Sequence, residues 1–124
     1  MIKLFFMTGT IGCFLSVALG AFAAHGLKKL LTEQLLTTFH TAVEYQFFHS
    51  LSLIIIALVL SQKPKAKYLN IAGMAIITGI VLFSGSLYIL ALSGITSFGI
   101  ITPFGGVAFL IGWIYFSMAV WQEY

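Results

Sequence analysis

Three histidines and one glutamate stand in or beside long apolar runs: His25, His40, Glu44 and His49. An ionisable side chain inside a membrane is expensive, so each is a functional candidate by default. Imidazole and carboxylate together could move a proton, hold a metal ion or bind a polar ligand.

His49 is the hardest to explain away. Counted from Thr41 at 1.5 Å per residue, it lies roughly 12 Å inside an apolar run, where it needs a partner. The next run travels the opposite way and brings Ser84 and Ser86 to a similar depth, and Ser16 reaches it from the first run. The expectation is a polar layer of His49, Ser84, Ser86 and Ser16, with Gln46 and Tyr88 nearby. A hydrogen-bonded bundle core with neutral His49 is the preferred reading, because buried polar groups usually just pair. A ligand or proton site is the alternative.

Glu44 has two readings. Thr41-x-x-Glu44 before an apolar run has the form of a capping box, in which the carboxylate only starts a helix. If the helix instead runs through from Leu35, His40 and Glu44 lie one turn apart on one face and can pair. His25 and His40 fall at the ends of apolar runs, where interfacial anchoring suits them. A metal site from His25, His40 and Glu44 is loosely spaced for a zinc ligand set. No haem attachment motif, G-x-S-x-G, H-E-x-x-H or phosphate loop is present. The expectation is no enzyme, no metal and no cofactor. The lone Cys13 permits no internal disulfide and reads as a small buried hydrophobe.

The elements that must position these groups follow from composition. Only 7% of the 124 residues are charged and 60% are hydrophobic, so the chain cannot make an ordinary wet surface. Four stretches are long enough to cross a bilayer as helix: residues 2–24, 41–61, 68–92 and 104–121. The expected fold is all-α, a single four-transmembrane-helix bundle over residues 1–124. Residues 26–40 carry Lys28, Lys29 and Glu33 opposite Leu27, Leu31, Leu35 and Phe39, which suggests a short amphipathic interfacial helix between the first two spans. Residues 62–67, with Pro64 and three lysines, form a solvated turn. Residues 93–103 are uncharged and rich in Gly, Ser and Thr, and should lie close to the membrane surface.

The six lysines form no basic face, so the net charge of +3 points to topology rather than to nucleic acid. Lys3, Lys63, Lys65 and Lys67 fall on one side, Lys28 and Lys29 on the other. That count favours both termini in the cytoplasm, with Tyr68, Tyr115, Trp121 and Tyr124 as interface anchors there. Ala21-Phe22-Ala23 before Ala24 imitates a secretory cleavage site. Against cleavage, the first run carries Gly12, Ser16, Gly20 and Ala24, one small face that a signal peptide does not need. Ala75 with Gly79 and Ala108 with Gly112 repeat the spacing. Such faces let helices approach closely in lipid, within one chain or in a homo-oligomer or larger membrane complex.

Four motifs in order carry a family resemblance over nearly the whole chain. They are Gly20-Ala21-Phe22-Ala23-Ala24-His25-Gly26-Leu27; Thr41-Ala42-Val43-Glu44-Tyr45-Gln46 with His49; Leu82-Phe83-Ser84-Gly85-Ser86-Leu87-Tyr88; and Ile101-Thr102-Pro103-Phe104-Gly105-Gly106 leading to Gly112-Trp113. The chain resembles the small bacterial membrane proteins of the YwdK/YgdD type, the domain-of-unknown-function 423 family. The resemblance implies four retained spans in the bacterial inner membrane and brings no established activity. The family pattern usually has Gly at Ala23 and Gln at Glu44. A position that accepts Gln does not depend on a carboxylate for proton transfer, which favours a hydrogen-bonding or capping role for Glu44. The motifs converge on the outer half of the bundle. The functional expectation is a non-enzymatic structural or accessory membrane protein. The alternative is a small-molecule or proton-binding protein built around His49.

Overall fold

The computed structural model describes residues 1–123, so the anchor expected at Tyr124 lies outside the described residues. Among them, four helical stretches are long and apolar enough to cross a membrane. Helix α1 (Ile2–His25) is followed by a 3-10 turn (Leu27–Lys29) and by α2 (Glu33–Gln62). Helix α3 (Lys67–Gly79) passes through a π-helical turn (Ile80–Ser84) directly into α4 (Gly85–Ser93), and the two form one span. A second 3-10 turn (Thr96–Ile100) leads to α5 (Thr102–Glu123).

The segment expected as a separate interfacial helix is divided differently. Thr32 is extended (φ −61°, ψ 158°), and its hydroxyl accepts from the Leu35 N–H at 3.2 Å, so α2 begins there. This capping oxygen satisfies one of the orphan donors of a helix N-terminus. From Glu33 the helix runs unbroken through His40 and Glu44. The capping box at Thr41 does not form: the Thr41 hydroxyl donates back to the Thr37 carbonyl at 3.1 Å, as a mid-helix threonine does. The leucine stripe nonetheless marks burial. Leu27 and Phe39 share one apolar cluster with Ala23 and Ala91, and Leu31, Leu36, Val43 and Tyr88 pack against it.

The larger apolar core lies at the end that holds the N-terminus and the lysine turn, around Phe5, Leu53, Ile56, Leu60, Leu69 and Ile76. Tyr68 and Tyr115 pack on it, ring to ring at 5.8 Å, while Trp121 is fully out on the surface. Between the two apolar clusters lies a band containing Ser16, Gln46, His49, Ser50, Ser84 and Ser86, all buried.

Small residues set the helix spacing. A Cβ on Gly12 would collide with the Ser50 side chain, and one on Gly9 would lie 2.8 Å from the Ser50 carbonyl. The α1 groove is therefore filled by α2, except that Ala23, not Ala24, is the buried alanine at its end. Gly79 receives the Phe109 ring and Gly112 lies against Ile76, which locks the third span to α5. Gly94, at φ 71°, ends α4 in the left-handed conformation that glycine adopts freely.

Candidate functional site

The polar band is organised by two positions on α2, three residues apart, that look toward different neighbours. Gln46 looks toward α1 and α4. Its Nε2 donates to the Gly12 carbonyl at 3.0 Å, and its Oε1 accepts from the Tyr88 hydroxyl at 2.7 Å. One amide thus ties three helices together. It reaches Gly12 because glycine leaves that carbonyl uncovered. Ser16, on the same face, spends its hydroxyl on the same carbonyl at 2.8 Å.

His49 looks toward α5. Its Nδ1 lies 2.7 Å from the Tyr45 carbonyl, and its Nε2 lies 3.1 Å from the Trp113 indole nitrogen. A carbonyl can only accept and an indole N–H can only donate. Together they fix the ring as the Nδ1–H tautomer, with the Nε2 lone pair occupied. The imidazole also stacks on Phe109, centroid to centroid 3.6 Å. Tyr45 stacks on Phe83 at 4.4 Å and completes an aromatic wall. These rings, with Pro103 and Trp113, border a lateral groove of about 520 Å³.

The serines expected beside His49 lie elsewhere. Ser84 donates to the Ala42 carbonyl at 2.8 Å, about two turns along α2 from His49. Ser86 pairs with the Thr102 hydroxyl at 2.7 Å, at the start of α5. The π-helical turn, which ends at Ser84, is one reason. Each added residue turns the following face by about 100°, so the phase read from a regular helix no longer holds. Gln46 and Tyr88 do come together. The single expected layer is therefore four separate links: Gln46 with Tyr88 and Gly12, His49 with Trp113, Ser84 with Ala42, and Ser86 with Thr102.

His25, His40 and Glu44 are exposed. His40 and Glu44 lie one turn apart on α2 and make no hydrogen bond or ion pair with any described residue. Among the described residues no three His, Cys, Asp or Glu side chains converge as metal ligands would.

Trp113, Phe109 and Thr102 were not expected at the site. Trp113 stands 64 positions from its partner His49. A uniformly apolar α5 gives no sequence clue to the direction its indole faces.

Comparison with known proteins agrees with this arrangement of motifs. The family model described as a protein of unknown function (DUF423) matches residues 19–106. The chain belongs to the DUF423 family. The match spans His25, Gln46, His49 and the Ser84–Tyr88 stretch, and stops just before Phe109 and Trp113. Among DUF423 relatives, the UPF0382 membrane protein YwdK of Bacillus subtilis is 44% identical over 117 residues, covering 94% of this chain and 95% of its own. The UPF0382 membrane protein SAB0533 of Staphylococcus aureus is 42% identical over 120 residues, 97% of each chain. A UPF0382 membrane protein of Haemophilus influenzae is 46% identical over 101 residues, 82% of this chain and 80% of its own. No solved structure matches.

Proposed function

We propose that this DUF423 protein is a non-enzymatic structural or accessory component of the bacterial inner membrane, with both termini in the cytoplasm. The observation that carries the reading is the state of His49. Both ring nitrogens are committed within the chain, one to Tyr45 and one to Trp113. A general base needs a free lone pair, and a metal ligand needs one too. The amide of Gln46 is engaged at both ends in the same way. These groups act as cross-links between helices, a use for which lipid leaves few substitutes.

The orientation rests on the lysines. Lys3 and the Lys63–Lys67 turn lie at one end of the bundle, Lys28 and Lys29 at the other, and the larger set favours the cytoplasm. Membrane lipid covers the apolar exterior.

A second reading draws on the lateral groove. Tyr45, Phe83, Phe109 and Trp113 would receive an apolar or planar ligand from the lipid phase, with His49 at its floor. Purification in mild detergent, followed by mass spectrometry and absorption spectroscopy of what co-purifies, separates the two. The structural reading expects bulk lipid in membrane proportions and no visible chromophore. A single enriched small molecule, lost on Trp113→Ala, would replace it with the ligand reading.

A further inference from the structure

The exposed carboxylate of Glu44 is the least explained group in the molecule. Helix α2 has 30 residues and is about 45 Å long, longer than a hydrocarbon core of roughly 30 Å. If α2 is centred in the bilayer, Glu44 lies roughly 10 Å beneath the hydrocarbon boundary. Neighbours at its level support that depth. Tyr45 stacks on Phe83, the Phe83 backbone abuts Gly105, and the adjoining Phe104 is 66% exposed. An apolar belt therefore surrounds a carboxyl group that has no hydrogen-bond or ion-pair partner among the described residues.

The pattern around it is not random. Thr37, His40, Glu44, Phe47 and Leu51 are exposed and spaced three or four apart along one side of α2; Leu58, seven residues on, is exposed too, while Ile54 between them packs against Gly9 of α1. A parallel helix pair uses this spacing for its seam. Acid and base stand one turn apart on it, so the seam is complementary to itself. A two-fold axis along the membrane normal sets two copies of α2 side by side at equal depth. Each Glu44 then lies one turn from His40 of the second copy, and each His40 can supply an N–H to the carboxyl oxygen opposite.

We propose that the protein forms a parallel homodimer through this face of α2, held by reciprocal Glu44–His40 hydrogen bonds. The small-residue groove of α1 has no part in it, because α2 already fills that groove. The proposal is also independent of His49, Gln46 and their partners, which lie on other sides of the helix. Nothing in it requires an ionised carboxylate: a glutamine amide can donate and accept across the same seam.

The test is disulfide cross-linking of the full chain in native membranes, with Cys13→Ala as background and Leu51→Cys as reporter. Ile114→Cys, exposed on α5, is the control. The expected result is a covalent dimer at position 51, none at 114, a loss of about tenfold on adding Glu44→Leu, and retention with Glu44→Gln. Glu44 is exposed and makes no hydrogen bond or ion pair with any described residue, so Glu44→Leu should melt like the parent, which separates lost association from lost folding. Three results would overturn the proposal: no dimer at 51, equal dimer at 114, or a position-51 dimer indifferent to Glu44→Leu. Loss of the dimer in Glu44→Gln as well would overturn the hydrogen-bonding account of it.

Discussion

The two interior sides of α2 use different physics at similar depth. On the side of Gln46 the chemistry is polar and tight: one amide holds a phenol at 2.7 Å and a glycine carbonyl at 3.0 Å, over a helix contact that tolerates no Cβ at Gly12. On the side of His49 the chemistry is aromatic and open. One indole N–H reaches one imidazole, flanked by stacked rings and a lateral groove. The first side joins α1, α2 and α4, and the second joins α2 to α5. The contrast shows where the bundle gains its rigidity. A short polar link needs close backbones and small residues, whereas an aromatic link can bridge a wider gap.

That contrast orders the effects of substitution. Gly12→Leu should be the most damaging, about 3 kcal/mol or more, because the side chain must displace Ser50 and pry α1 from α2. Steric trapping or mixed-micelle denaturation would read it. A Gly12→Leu protein as stable as the parent would mean the α1–α2 contact is looser than described. Gln46→Leu comes next at about 2 kcal/mol, since it strands the Tyr88 hydroxyl. Adding Tyr88→Phe to Gln46→Leu should then cost almost nothing further, and additive losses would break the three-helix link. On the other side, Trp113→Phe keeps an aromatic side chain but removes the N–H that reaches His49 together with the five-membered ring that carries it, with an expected loss of about 1 kcal/mol from the hydrogen bond alone. The smallest effect should be at Ser50, which is fully buried with a hydroxyl that finds no partner among the described residues. Ser50→Ala removes an unpaired polar atom and is expected to be neutral or slightly stabilising, by less than about 1 kcal/mol. A marked loss there would reveal a partner, such as a bound water, in the Gln46 side.

The sequence was informative about spans and poor about phase. Four runs of sufficient length and apolarity identify four crossings without further information. The stripe Leu27–Leu31–Leu35–Phe39 picks out burial at Leu27 and Phe39 but says nothing of the break at Thr32, so it imitates one helix where two elements meet. Thr41-x-x-Glu44 has the residues of a capping box, yet a threonine inside a helix can satisfy its hydroxyl on the preceding turn, and the sequence does not choose between the two. That Gln46 and Tyr88 lie near the same level was legible, but not that they bond to each other. Nor was the partner of His49. A span apolar on all sides leaves its rotation undetermined, and the π-helical turn at Ile80–Ser84 turns Ser84 to Ala42 instead. The family match stops at residue 106, and although the fourth motif leads on to Gly112-Trp113, a motif names the residue without naming its partner.

The account depends most on His49 being a committed structural group. Solid-state ¹⁵N NMR of the protein in lipid bilayers, with histidine labelled in the ring, reads this directly. The predicted spectrum assigns His49 as the tautomer protonated at Nδ1, with Nε2 bare and hydrogen-bonded, and with the Nε2 signal moving on Trp113→Phe. A His49 ring protonated at Nε2, or one whose signals ignore Trp113→Phe, would contradict it.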